Sequence, residues 1–373
     1  MTEYLDFNAG SPIGQEAWQA YREGCRFIAN PSSPHELAKN GREVLERCRR
    51  ELADWFGVGP DWVTFTSGGT EANALLLLGF PWCEGDVVLS SSLEHPAVLK
   101  NLEYLDSQGQ IELGRLPIDV HGRVLVEAVE AEVRKRPVRM ISVMGAQNET
   151  GVIQPISEIA KLCADHGVIF HSDTIQLCGK YDFRSLLDGV DAWTMAAHKF
   201  GAVAGVGVLF SRPGLGLEAL LGGGGQENGL RSSTQNVPGI MSLARAFRAA
   251  NDHLGQWNEI ALQRDQMEEA LRERLEGIEI IGSEVDRLAN TSMFRAKGCP
   301  GDGLMMFLDV EGYEIATGSA CSSGSISPSE ALLAMGYSEA DAREFVRISF
   351  GPQLVSMEGL IQKIVEGVTL ARA

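Results

Sequence analysis

Residues 140–176 read MISVMGAQNETGVIQPISEIAKLCADHGVIFHSDTIQ, and they carry the pattern that organises the chain. The run 140–144 is strand-like, and the polar stretch Gln147-Asn148-Glu149-Thr150-Gly151 follows it. Residues 157–166 repeat apolar positions at helical spacing and stop before Gly167, a residue suited to the left-handed C-terminal position. A second strand-like run, 168–172, begins at once and ends at Asp173, with Gln176 beyond it. Strand, helix and strand joined by short connections are the grammar of a βαβ unit. Outward from this unit, further strand-like runs fall at Val63–Thr66, 87–89, 192–195 and 205–210, several of them separated by helical stretches. Upstream, Leu37, Val44, Leu45, Cys48, Leu52 and Trp55 recur at helical spacing over residues 35–56. Downstream, a long helical stretch over 239–276 separates this α/β half from a mixed C-terminal part. An amphipathic helix bearing Leu360, Ile361, Ile364, Val365 and Val368 closes the chain. The expectation is a large α/β domain followed by a smaller one.

A chain of 373 residues with 44% hydrophobic composition is long enough to bury a large core. Lys and Arg number 32 against 50 Asp and Glu, a net charge of -18, and the basic residues form no long run. That balance argues against an extended nucleic-acid surface. The first residues, MTEYLDFNAG, show neither a basic leader nor an apolar signal core, and the longest apolar run, 74–78, is too short to span a bilayer. A soluble, cytoplasmic protein with no membrane contact is expected. The cysteines, at 25, 48, 83, 163, 178, 299 and 321, are odd in number, with no C-x-x-C pair and no zinc-like spacing. A disulfide scaffold and a metal site are therefore not expected, and Cys25, Cys48 and Cys163, in helical patterns, read as packing residues.

In open α/β sheets ligands bind beyond the carboxyl ends of the strands, so polar residues just after strand-like runs are the first candidates for chemistry. Val63–Thr66 leads into Ser67-Gly68-Gly69-Thr70-Glu71, a turn whose bare N–H groups suit a phosphate, or an ordinary turn capped by Thr70. Asp173 suits either a helix cap or a partner for a pyridine nitrogen. The strand at 192–195 leads into His198-Lys199-Phe200-Gly201, where Lys199 is either a solvated charge or a desolvated Schiff-base amine. Gly222 to Gly225 precede Gln226-Glu227 and Arg231-Ser232-Ser233-Thr234, a hydroxyl-rich loop able to meet a phosphate. Near the end, Gly318-Ser319-Ala320-Cys321-Ser322-Ser323-Gly324 sets a thiol among small residues, where it can be exposed.

Taken in order, these pieces resemble the cysteine desulfurases of the class V aminotransferase family, enzymes with the fold-type-I pyridoxal-phosphate (PLP) architecture. The resemblance runs from about residue 4 to residue 351. It includes Tyr4-Leu5-Asp6, Asn30-Pro31-Ser32-Ser33 with His35, the Ser67 to Glu71 turn, Glu94-His95-Pro96 and the stretch from Asn148 to Pro155. It continues through His171 to Gln176, His198-Lys199, the loop ending at Thr234, Gly318 to Pro328, and Arg347. It implies a mainly parallel seven-stranded sheet in a large domain, residues 12–250. Residues 1–11 and 251–373 would form a smaller α+β domain carrying the catalytic cysteine. By the same resemblance Lys199 is the Schiff-base lysine, Asp173 the partner of the pyridine nitrogen, and His95 the ring stacked on the cofactor. Gln176 contacts the phenolic oxygen; Gly69, Thr70, His198 and, from the second subunit of a homodimer, Thr234 hold the phosphate. Asn30, Asn148 and Arg347 meet the L-cysteine substrate, and Cys321 takes its sulfur as a persulfide for an acceptor protein. A cysteine or selenocysteine lyase, or a weakly active sulfur-relay subunit, would use the same cofactor residues.

Some positions depart from the family's pattern. Gly10-Ser11 stands for a common Thr-Thr, Ala196 for a serine, and Val203 and Ala204 for a Pro-Lys pair. Asn228 replaces an arginine, Ser233 a glycine, and Pro352 another arginine. All lie outside the set Lys199, Asp173, His95, Arg347 and Cys321.

Overall fold

The computed structural model describes residues 2–318 and 328–373. A short strand, β1 (Glu3–Tyr4), is followed by helices α1 (Gln15–Gly24) and α2 (Glu36–Phe56). His35 accepts the Ala38 N–H to cap α2, and Gly57, at φ 69°, ends it in the left-handed conformation. Then come β2 (Val63–Thr66), α3 (Gly69–Gly79), β3 (Asp86–Ser91), α4 (Pro96–Ser107), β4 (Ile111–Leu116) and α5 (Val126–Lys135). The quoted segment supplies β5 (Val138–Ser142), α6 (Ile156–His166) and β6 (Ile169–Asp173), and β7 (Ala192–Ala196) and β8 (Gly207–Ser211) complete this half.

These strands form one seven-stranded sheet in the order β2-β8-β7-β6-β5-β3-β4, in which β8 alone runs against the others. Successive residues alternate between its faces, as the pleat requires. Leu89, Ile141, Phe170, Trp193 and Phe210 pack on the side covered by α2, α6 and the later helix α7 (Val237–Asp252). Val88, Met140, Ile169, Ala192 and Leu209 pack on the side of α3 and α4. Both faces are covered, which is why the central strands are apolar runs with little alternation of polarity.

Helix α8 (Trp257–Arg274) leads into a second sheet, β12-β13-β10-β9, built from β9 (Ile278–Ile280), β10 (Thr291–Ala296), β12 (Ala316–Thr317) and β13 (Phe345–Ser349). Its neighbouring pairs are antiparallel. Strand β11 (Tyr313–Glu314) pairs in parallel with β1, and helices α9 (Gly301–Val310), α10 (Glu330–Ala334), α11 (Glu339–Ala342) and α12 (Met357–Ala371) complete the described chain. Met267, Leu271, Phe294, Leu304, Leu308, Leu360 and Ile364 share a core with Leu5, so the N-terminal segment packs with the C-terminal part.

The expected long helix over 239–276 is two helices, α7 and α8, joined by the turn Leu254–Gln256. Asn251 turns its side chain back onto the Phe247 carbonyl at 2.7 Å, and Gly255 follows, both poor at continuing a helix. Trp257 restarts it, its indole N–H donating to the Gly179 carbonyl at 2.8 Å. Strand β4 escaped the sequence pattern because Glu112, Gly114 and Arg115 break its apolar run at the sheet edge. Cys48 and Cys163 are buried as expected, whereas Cys25, at the end of α1, is exposed. No helix among the described residues is long and apolar enough to cross a membrane.

A buried ion pair ties α2 to the loop after β8. Arg49 donates to both Glu227 carboxylate oxygens at 2.9 Å, and Glu227 also accepts the Phe65 N–H at 2.9 Å. Glu227 and Asn228 hold left-handed φ values of 51° and 55°, backbone that this pairing must sustain. Glu227→Ala would leave Arg49 with only the partly exposed Glu46 carboxylate, 3.3 Å from its Nε, and the Val63 carbonyl as partners, and should lower unfolding stability by about 1–3 kcal/mol, measured by urea denaturation.

Candidate active site

The strands β2, β3, β5, β6 and β7 all end at the same edge of the sheet, and there they surround a cavity of about 140 Å³. Gly69, Thr70, His95, Asn148, Asp173, Gln176, His198, Lys199 and Arg347 all line it, together with Asn8, Ala97, Met144, Ile175 and Ala196.

Asp173 ends β6 and is 4% exposed. Its carboxylate accepts the Asn73 amide at 2.8 Å and the Ile175 N–H at 3.1 Å, and Asn73 is itself fixed by the Thr194 hydroxyl at 3.0 Å. Burial pushes its pKa up, against the opposing pull of His95, these hydrogen bonds and Lys199. Asn73 lies within α3, beyond the glycine turn after β2, where no pattern in the sequence singles it out.

His95 caps α4: its Nδ1 accepts the Ala97 N–H at 3.0 Å. That bond requires an unprotonated Nδ1 and leaves the ring proton on Nε2. Burial lowers the His95 pKa, as does Lys199, while Asp173 raises it. His198 is pushed down to about 4, by burial first and by the adjacent Lys199. Lys199 closes the short turn Ala197–Lys199 after β7, and its Nζ donates to the carbonyls of Asn8 at 2.6 Å and Ala9 at 2.9 Å.

Arg347 reaches the cavity from β13 of the second sheet and is 2% exposed. It donates to Asp6 at 2.5 Å and to the Asn148 carbonyl at 3.1 Å, while its Nε has no partner among the described residues. Opposite, α3 opens on glycines, with Gly68 at the cap and no side-chain oxygen occupying its first N–H groups. A Cβ on Gly207 would lie 2.5 Å from the Gly68 carbonyl carbon, backbone that cannot give way, so Gly207 is required by close packing, whereas one on Gly69 would push against Ile175 Cδ1 at 2.2 Å. Thr70 sits inside the first turn of α3 and caps nothing.

Asn30 and Thr234 are exposed and lie away from the cavity, where the Asn30 amide meets the Thr234 hydroxyl at 3.4 Å. Cys321 lies outside the described residues. The residues flanking that stretch approach Glu149, next to Asn148: Ser329 donates to its carboxylate at 2.6 Å, and a Cβ on Gly318 would lie 2.9 Å from the same oxygen. Of the departures, Ala196 lines the cavity without a hydroxyl, and Ser11 donates to the Lys199 carbonyl at 2.9 Å. Among the described residues no group of His, Cys, Asp and Glu could hold a metal ion.

An α/β sheet with a lysine, a buried carboxylate and a glycine-opened helix at its carboxyl edge is an architecture found in solved structures. The chain superimposes on a NifS-like protein at a TM-score of 0.89 with 28% identity, over 99% of this chain and 100% of that one. It matches SspA in complex with cysteine at a TM-score of 0.81 with 28% identity, covering 95% and 100%. In sequence it is 35% identical to an IscS-like cysteine desulfurase of Mycobacterium tuberculosis, over 93% of this chain and 91% of that relative. It is 33% identical to cysteine desulfurase IscS of Dictyoglomus turgidum, over 93% and 89%. Residues 3–358 match the family described as Aminotransferase class-V, and the chain belongs to that family, among its cysteine desulfurases.

The family is PLP-dependent, and the cavity residues fit that cofactor: a buried acid for a pyridine nitrogen, an imidazole beside it, a lysine amine, and a helix N-terminus with free N–H groups for a phosphate.

Two residues before Asp173, His171 is fully buried, and burial lowers its pKa to about 3. Its Nδ1 lies 2.8 Å from the Ser142 hydroxyl. The unfolded chain takes up this proton below about pH 6.5 and the folded chain does not, so folding stability falls as pH drops from 6.5 toward 3. His171→Asn should flatten that acid limb by about 1.4 kcal/mol per pH unit, read from denaturation midpoints across the range.

Proposed function

We propose that this protein is a cytoplasmic, homodimeric cysteine desulfurase that converts L-cysteine to L-alanine and holds the released sulfur as a persulfide on Cys321. The sulfur then passes to an acceptor protein in iron–sulfur cluster assembly or in thio-cofactor or tRNA thiolation. The observation that carries this reading is the meeting of Lys199, Asp173, His95 and Arg347 in one cavity, drawn from both sheets. A solved relative binds cysteine in the same fold, which supports the substrate. We assign residues 12–250 to a large cofactor-binding domain, and 1–11 with 251–373 to a small one.

Bound PLP supplies an electron sink for a carbanion at the substrate α-carbon. Lys199 would hold it covalently, Asp173 would pair with its ring nitrogen, and the His95 ring would lie against its face. Gln176 would donate to the phenolic oxygen; the α3 N-terminus with Gly69, Thr70 and His198 would take the phosphate. Thr234, exposed and not among the residues lining its own chain's cavity, would serve the second subunit of a homodimer, with Asn30 beside it. Arg347 grips the substrate carboxylate, exchanging its bond to Asp6 for a bidentate pair. Asn148 orients the substrate beside it.

The proton steps fall to Lys199, which moves the α-proton once the substrate amine has displaced it. His95, neutral with its proton on Nε2, is a donor facing the same space. The Cys321 thiolate attacks the substrate sulfur, the Cβ–S bond breaks, and its electron pair stays with carbon. That carbon then takes up a proton, so cysteine and an enzyme thiol give alanine and an enzyme persulfide with no external oxidant.

With purified protein and PLP, one exposure to L-cysteine should add a sulfur mass to Cys321 and release alanine. Pyruvate and ammonia with unmodified Cys321 would identify a lyase instead, and Cys321→Ala releasing alanine and sulfide at the wild-type single-turnover rate would remove the persulfide role. Lys199→Ala should abolish the visible absorption of the bound cofactor and cut turnover by about 10²–10⁴-fold. Arg347→Lys, which loses the paired contact, should raise KM for cysteine by about 10- to 100-fold with a smaller change in kcat.

A further inference from the structure

Lys180 is 5% exposed and lies one turn beyond Gln176, in the segment that follows β6. Among the described residues no carboxylate lies within ion-pair distance of it. Burying a lysine without an acidic partner is costly, so its contacts must matter to the structure that keeps it. Its Nζ donates to Gln176 Oε1 at 2.8 Å and to Asn8 Oδ1 at 2.9 Å. An amine donates two hydrogen bonds whether protonated or neutral, and an amide nitrogen cannot accept either of them. Gln176 is therefore held with its oxygen toward Lys180 and its nitrogen turned away. That nitrogen donates to the Asn8 carbonyl at 3.0 Å, the same oxygen that receives Lys199 Nζ at 2.6 Å.

We propose that Lys180 is a positioning residue for the cofactor site: it fixes the Gln176 amide as a hydrogen-bond donor toward the cofactor and, through Asn8, seats the Lys199 amine. The inference rests on the PLP reading above. The titratable groups that bear on Lys180 are Lys199 after β7, Arg347 from β13, Cys178 in its own turn and Asp6 from the N-terminal segment. Without Lys180, Gln176 is free to turn its oxygen toward the phenolic oxygen. That change disfavours the deprotonated form of the bound cofactor and raises the pH at which its visible band titrates.

The test compares the wild type, Lys180→Met, Gln176→Leu and the double variant, each reconstituted with PLP, by visible absorption across pH. If the wild type forms no visible band, the PLP reading itself fails. Given a wild-type band, Lys180→Met should keep cofactor bound and raise the midpoint by about 0.5 pH unit or more. The double variant should shift no further than Gln176→Leu alone, since the two residues act as one unit. An unchanged midpoint in Lys180→Met, or additive shifts, would overturn the proposal. Should Lys180→Met fail to fold, Lys180→Leu likewise leaves Gln176 Oε1 and Asn8 Oδ1 without this donor and carries the same criterion: a raised midpoint supports the role, an unmoved one rejects it.

Discussion

The hydrogen bonds of Asn8 join the two sheets at the point where the cavity forms. Its side-chain nitrogen donates to the Asn148 carbonyl and to Thr291 Oγ1, and its side-chain oxygen accepts from Lys180 and Asn290. Its backbone carbonyl accepts from Lys199 and Gln176. Asn290 and Thr291 belong to the C-terminal part, whereas Asn148, Gln176, Lys180 and Lys199 belong to the α/β half. This buried amide, together with the direct bond from Arg347 to the Asn148 carbonyl, thus links the second sheet, which carries Arg347, to the first, which carries Lys199. Buried polar networks of this kind are demanding, because an unmet partner costs more than a met one contributes, and that demand favours one geometry for the site.

The parallel sheet does the rest of the positioning. Because β2, β3, β5, β6 and β7 run the same way, the glycine turn, His95, Asn148, Asp173 and Lys199 emerge at one edge although they span 130 positions from Gly69 to Lys199. The reversed strand β8 sits between β2 and β7, and Gly207 at its start packs against Gly68 where a side chain would collide.

This explains which features the sequence displayed. Strand ends followed by polar residues are local patterns, so Asp173, Lys199 and the turn at Gly69 could be read directly, and the limits of β2 fall where the apolar run does. Asn8, Asn73 and Lys180 act through contacts with residues far away in the chain, and no local pattern marks them. Lys180 in particular looks like any surface lysine until its surroundings are known. The break between α7 and α8 was hidden for a related reason: Leu, Ala, Arg and Glu continue across it, and the tertiary bond from Trp257 to Gly179 helps to set where the second helix begins.

The electrostatics of the cavity run against those of the whole chain. The protein carries a formal charge of -18, yet Lys199 and Arg347 line one small space, with Lys180 bonded to the lining residue Gln176. Asp6 is taken up by its pair with Arg347, and burial subdues other acids nearby. Burial pushes Glu94 up to about 8 despite its bonds from Met144 N and the Ser91 hydroxyl, and pushes Glu149 up to about 7 despite its bond from Ser329. Glu94 therefore holds its proton at neutral pH, Glu149 titrates within the neutral range, and Asp173 is the buried acid with Lys199 and a histidine facing it. The result is two basic side chains facing one small enclosed space in an acidic protein, where screening is weak. Such a space favours a ligand that brings its own negative charges, and a phosphate at the α3 N-terminus with a carboxylate at Arg347 would supply them at its two ends.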